Sequence, residues 1–224
     1  MADVAASLVV GNSMVTATSF NPTIFGQLWL VSNDVVAAGE FLPGSIFTDQ
    51  IVQVNSKDFS LMVMAQQLAL TPSMPATGSE LVERKMTKIV DLIPHTPFTA
   101  VGMNFLWRTD PLPEPAETFR RLFCGTGSAY AGFSAADARF GAYLSKDVTG
   151  GCRLRVDIRP VADPAPPETP RVERINFGFN FQRELLHVEK RAEAVASTMS
   201  RWDEFRLMAE RIVNETLAGV GGGK

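Results

Sequence analysis

Two stretches of this chain nearly repeat each other, and both alternate like strands with one buried face. Gly102-Met103-Asn104-Phe105 is followed by a basic residue at Arg108, and Gly178-Phe179-Asn180-Phe181 by one at Arg183. In the first, Val101, Met103, Phe105 and Trp107 share a face opposite Gly102 and Asn104. In the second, Ile175, Phe177, Phe179 and Phe181 share a face opposite Asn176, Gly178 and Asn180. Side chains along a strand point alternately to its two sides, so these segments must lay an aromatic face on a core. The chain is thereby committed to a sheet in which the two segments are neighbours, or equivalent members of two related halves.

A chain of 224 residues is long enough to bury a sizeable core as one large domain or two small ones. Hydrophobic residues make up 46% and charged residues 20%, which excludes a disordered or fibrous chain. The net charge of −3 offers no bulk attraction to nucleic acid or to anionic lipid. Every apolar run falls short of the roughly 20 residues of a membrane span, so no membrane association is expected. Met1-Ala2-Asp3-Val4 lacks a basic leader segment, and the following apolar stretch breaks at Gly11-Asn12. Cys124 and Cys152 have no partner at Cys-x-x-Cys spacing, so they read as free thiols of a cytoplasmic protein, with a single disulfide between them as the alternative.

Residues 7–20 read as a strand, and Asn21-Pro22 as the start of a short helix. Residues 47–54 and 59–70 read as two strands joined by a polar turn. Thr77 with Glu80 has capping-box spacing ahead of an apolar helical stripe that Pro94 ends. A strand over 98–108, a helix over 115–124, an irregular stretch over 125–136 and a hairpin around Thr149-Gly150-Gly151 follow. The proline-rich run 160–170 reads as an exposed excursion. The second Asn/Phe strand spans 172–187, and Ser200 with Asp203 signals a closing helix to about residue 217. Residues 188–199 fit either that helix or a separate turn. Residues 220–224 read as a flexible tail.

The expected class is therefore α+β, with antiparallel or mixed sheet covered by amphipathic helices. A first half over 1–95 and a second over 96–219 run through similar element orders, as internal duplication of a β-α-β-β-α unit would give. Chance likeness among amphipathic elements is the competing account.

The chemical signals are sparse. His95 and His187 are the only histidines, and neither stands in a nucleophile or metal motif. The glycine-containing segment 124–128 follows a helix and lacks the lysine of a phosphate loop. Acidic residues show no metal-ligand spacing, so no catalytic residue, metal or cofactor is expected. Two features remain. Gly102, Asn104, Gly178 and Asn180 form a candidate interaction face, because asparagine is disfavoured in strands and strand glycine permits close approach. Arg153, Arg155 and Arg159 lie on one strand face and could grip an anion, unless they pair with acidic residues such as Asp157. These features point first to a non-enzymatic interaction protein, a subunit, adaptor or chaperone-like binder that meets a protein partner or itself. A carboxylate-dependent hydrolase or transferase is the first alternative. A nucleic-acid or anion binder using the arginine strand is the second.

Overall fold

Alternation of buried and less buried side chains marks the longer strands, and the nine strands among the described residues join one antiparallel sheet. They are β1 (Ala6–Ala17), β2 (Ile46–Phe47), β3 (Ile51–Asn55), β4 (Phe59–Met64), β5 (Gln67–Pro72), β6 (Phe98–Thr109), β7 (Ala142–Val148), β8 (Cys152–Ala162) and β9 (Glu173–Glu184). The computed structural model describes residues 4–123, 141–163 and 171–221. Across the sheet the order is β2-β3-β4-β5-β1-β6-β9-β8-β7. Among the described residues five α-helices accompany it: α1 (Gln27–Ser32), α2 (Ser79–Leu92), α3 (Pro115–Phe123), α4 (Arg191–Met199) and α5 (Trp202–Gly221).

The two segments with the shared phrase are neighbours. β6 pairs with β9 so that Met103 faces Phe181, Asn104 faces Asn180 and Phe105 faces Phe179. Their aromatic faces are buried as the alternation requires, including Met103, Phe105, Trp107, Phe177, Phe179 and Phe181. Ring packing then ties strand to strand and strand to helix. Trp107 meets Phe179 edge-on at 5.7 Å, and Phe105 meets Phe181 at 6.1 Å. From α5, Trp202 contacts Phe105 at 4.8 Å and Phe205 stacks flat on Phe181 at 4.4 Å. Aromatic contacts of this kind add to the area term that drives burial.

Trp202 fits because β1 has no side chain at Gly11: a Cβ there would come within 3.0 Å of the indole ring. The indole Nε1 donates to the Pro75 carbonyl at 3.2 Å, so the buried ring leaves no polar atom unpaired. The turn before β8 is fastened to the same helix. Thr149 Oγ1 donates to Glu204 at 2.7 Å and accepts from Arg201, whose guanidinium lies over Gly150. Gly150 has φ +72°, so glycine is required there twice over.

Several local expectations are corrected. Residues 59–70 are two strands, β4 and β5, turned at Ala65-Gln66. Neither turn residue is glycine, and the turn is held from outside, by Phe20 N–H on the Ala65 carbonyl and Ala17 N–H on the Gln66 carbonyl. Residues 47–54 likewise split between β2 and β3. Thr77 does not cap α2; it lies in a 3-10 turn over Pro75–Thr77, and α2 starts after Gly78 with no side-chain cap. β8 runs through Pro160 to Ala162; among the described residues β7 pairs only as far as Ile158, so no described strand lies beside Pro160 on that edge. Ser200 closes α4 rather than opening α5, which continues to Gly221 and so takes in the start of the expected tail. The stretch 125–136 and most of 160–170 lie outside the described residues.

Candidate functional site

The two candidate features of the sequence converge on one face. β8 lies beside β9 with Arg155 opposite Asn180, Asp157 opposite Gly178, Arg153 opposite Gln182 and Arg159 opposite Asn176. Period-two alternation puts all of these on the side of the sheet opposite the aromatic core. Gly102, Asn104, Gly178, Asn180 and the arginines thus form one continuous surface across three adjacent strands.

At its centre is a row of amides. Asn180 Nδ2 donates to Asn104 Oδ1 at 2.7 Å, and Asn104 Nδ2 donates to Asn12 Oδ1 at 2.8 Å. Asn12 on β1 is the register partner of Asn104, so the row crosses β1, β6 and β9 in line. Asparagine is tolerated here because each amide satisfies its neighbour across the ladder. The row ends on a free acceptor: Asn180 Oδ1 is buried and has no hydrogen-bond partner among the described residues. The next position in register is Arg155 on β8.

A groove of about 340 Å³ lies over this row. Its apolar lining includes Val10, Leu106 and Tyr143, and its polar lining includes Asn104, Asn180, Arg155 and Asp157. A smaller depression, lined by Met14, Thr16 and Gln182, lies on the far side of Asn104 and Asn180, which border both. The glycines differ in kind. A Cβ on Gly102 would stand 2.7 Å from the Phe181 carbonyl oxygen, so that residue is dictated by the β6–β9 ladder. A Cβ on Gly178 would make an ordinary 3.6 Å contact, and its absence leaves the groove floor open.

Charge on the face is largely self-paired, with two exceptions. Arg153 bonds Asp147 at 2.9 Å and Arg159 approaches Asp157 at 3.6 Å. Arg155 is exposed and has no ion pair or hydrogen bond among the described residues. Arg108, on the same side of β6, donates to Asn176 Oδ1 at 2.9 Å and has no carboxylate partner among the described residues. Sequence reasoning missed Asn12, Tyr143, Val10 and Leu106. Only Asn12 carried a signal, as a polar residue breaking an apolar strand.

Outside this face, a groove of about 550 Å³ on α2 is lined by Glu80, Glu83, Arg84, Thr87, Lys88 and Asp91, and Thr87 Oγ1 is buried without a hydrogen-bond partner among the described residues. Lys85 of α2 donates to the Val35 carbonyl at 2.6 Å and lies over the Phe59 ring, with burial as the main cause lowering its pKa. Both histidines are exposed and border neither the groove nor the smaller depression. Among the described residues no three His, Cys, Asp or Glu side chains gather as a metal site. No described helix is long and apolar enough to cross a membrane.

Cys152 is a free, buried thiol on the core side of β8, and Cys124 lies outside the described residues. Burial pushes the Cys152 thiol up, above the effects of nearby Arg201 and Arg183 that favour the thiolate. The neutral form therefore dominates at neutral pH and the group is a poor nucleophile. In a Cys124→Ser protein, Cys152 should react with a disulfide reagent at pH 7.5 at least about tenfold more slowly when native than when unfolded. Equal rates would contradict its placement.

No protein-family model matches the chain, and no curated protein or solved structure is significantly similar to it.

Proposed function

We propose that the chain is a non-enzymatic binding protein of the cytoplasm that holds a protein partner on the open face of its sheet. The observation that carries this reading is the groove over the Asn12–Asn104–Asn180 row, which combines apolar lining, an orphaned acceptor and an unpaired arginine. Pockets of a few hundred Å³ with an apolar lining and few polar groups are the usual form of a binding site. On this reading the helices serve as the cover of the opposite face, leaving this one for recognition.

Two related halves explain how such a face is built. Reading outward from the centre, β1-β5-β4-β3 and β6-β9-β8-β7 run in the same order, each with a helix between its first strand and the rest. β1 and β6 are both twelve residues long and meet with Asn12 opposite Asn104. The strand order supports a duplication over 1–95 and 96–219. The shared Gly-x-Asn-Phe phrase does not, because β6 and β9 are neighbours within one half.

The test is a groove-filling substitution. Gly178→Leu should fold, since its Cβ meets only ordinary contacts, and should abolish the complexes that the protein forms in extracts of its own cells. His95→Ala and His187→Ala should leave those complexes intact. Complexes that survive Gly178→Leu would show that the open face is not the seat of binding. The uncompensated Arg108 and Arg155 keep a second reading in view, an anion or nucleic-acid binder, and this predicts binding that falls steeply with salt.

A further inference from the structure

We propose that β7 is a dimerisation edge, pairing antiparallel with β7 of a second copy of this chain about a two-fold axis at Ser145. The outer strands of a sheet present unmet backbone N–H and C=O groups, and folded proteins blunt such edges by shortness, proline or bulges. One end of this sheet is blunted: β2 has two residues, and Pro43 and Gly44 lie just before it. The other end is not. β7 has seven residues, Ala142–Val148, with no proline or glycine, and none of them is buried. Its register to β8 is unbroken, and no described strand lies beyond it. Tyr143 is 68% exposed on the open side and Leu144 is 47% exposed on the core side. Apolar surface therefore flanks the free backbone row on both faces, and the chemistry of that row selects a strand as its occupant.

A second β7 fits in one register. Directly opposite residues of an antiparallel pair lie on the same side, and like charges there are unfavourable. An axis at Lys146 or at Asp147 would set each charge against its own copy. An axis at Leu144 or earlier would leave Asp147 and Val148 outside the ladder. An axis at Ser145, the middle residue, pairs the whole strand: Ala142 with Val148, Tyr143 with Asp147 and Leu144 with Lys146 of the second copy. Arg153 already neutralises Asp147 at 2.9 Å, and the aliphatic stem of Lys146 covers Leu144. The register that pairs the whole strand is thus the one that opposes no like charges, which self-association requires and pairing with a different protein does not. Residues of like parity are paired, so the open faces of both copies lie on the same side of one continuous sheet. Tyr143 borders the groove, so two grooves flank the seam, and a partner engaging both gains avidity.

The experiment measures self-association of the purified full chain by sedimentation equilibrium. A seam of one short strand is smaller than a standard interface, so dimerisation is expected within about 1–500 µM. Leu144→Lys sets two lysines against Lys146 across the axis and should weaken the dimer at least about tenfold. Leu144→Glu meets the same lysines with opposite charge and should hold or tighten it. Leu144 is exposed, so both variants keep the fold. Adding Lys146→Glu to Leu144→Lys should restore the dimer, which a merely structural defect would not allow. The dimer should persist in Gly178→Leu, which separates it from complexes held with other proteins on the open face. A monomer throughout that range, equal effects of Leu144→Lys and Leu144→Glu, no rescue, or dissociation in Gly178→Leu would each overturn the inference. A monomer that loses a cellular partner on Leu144→Lys would make β7 the edge for a different protein, and would overturn the second copy as its occupant.

Discussion

Trp202→Ala should lower the unfolding free energy by about 3–5 kcal/mol, the range for truncating a fully buried large aromatic. The indole is wholly buried, packs edge-on against Phe105 at 4.8 Å and fills the space opposite Gly11. Its removal leaves a cavity between α5 and the two central strands, and the Pro75 carbonyl loses its donor. Whole domains are stable by only about 5–15 kcal/mol, so one substitution would remove at least about a fifth of the total. Urea unfolding should show the midpoint falling with the slope unchanged. Leu207→Ala, on the half-exposed side of the same helix, should stay within about 0.5 kcal/mol. A loss below about 1 kcal/mol for Trp202→Ala would mean that α5 does not seat on the sheet as described.

Gly102→Val and Gly178→Ala should behave in opposite ways, although both glycines sit in equivalent phrases. The Cβ at Gly102 would meet the Phe181 backbone oxygen at 2.7 Å, and neither strand can yield without breaking the β6–β9 ladder. The expected cost of Gly102→Val is about 3 kcal/mol or more, at the upper end for overpacking. Gly178→Ala meets nothing closer than 3.6 Å and replaces a flexible strand residue, so it should be neutral or stabilising by about 0.5 kcal/mol. Equal costs at the two positions would contradict the observed register.

The sheet was legible in the sequence where alternation was uninterrupted, as in β6, β8 and β9. Period two decides which side chains are buried without reference to anything distant, and Phe105, Trp107, Phe179 and Phe181 are buried accordingly. The β4–β5 turn was not legible, because Met64-Ala65-Gln66-Gln67 carries no turn chemistry and its carbonyls are held by Ala17 and Phe20 far earlier in the chain. Strand order is equally non-local. Nothing in the arginine strand or the Asn/Phe strand says that they pair, yet this pairing merges two separate candidate features into one groove. Asn12 shows the same limit: its role exists only once β1 lies beside β6. Thr77 failed for a different reason, since Pro75 turns the chain into a 3-10 bend before the helix begins.

The open face of the sheet, rather than the helical side, is the surface expected to meet the partner. Photo-crosslinking in living cells tests this most directly, with a benzophenone amino acid placed singly at Gln182 and at Met62, which is in line with Met14 of the smaller depression through Ala69, and at Leu207 on α5. The same discrete adduct is expected from Met62 and Gln182, lost when Gly178→Leu is added, and none from Leu207. Adducts from Leu207 alone, or open-face adducts that persist with the groove filled, would contradict it.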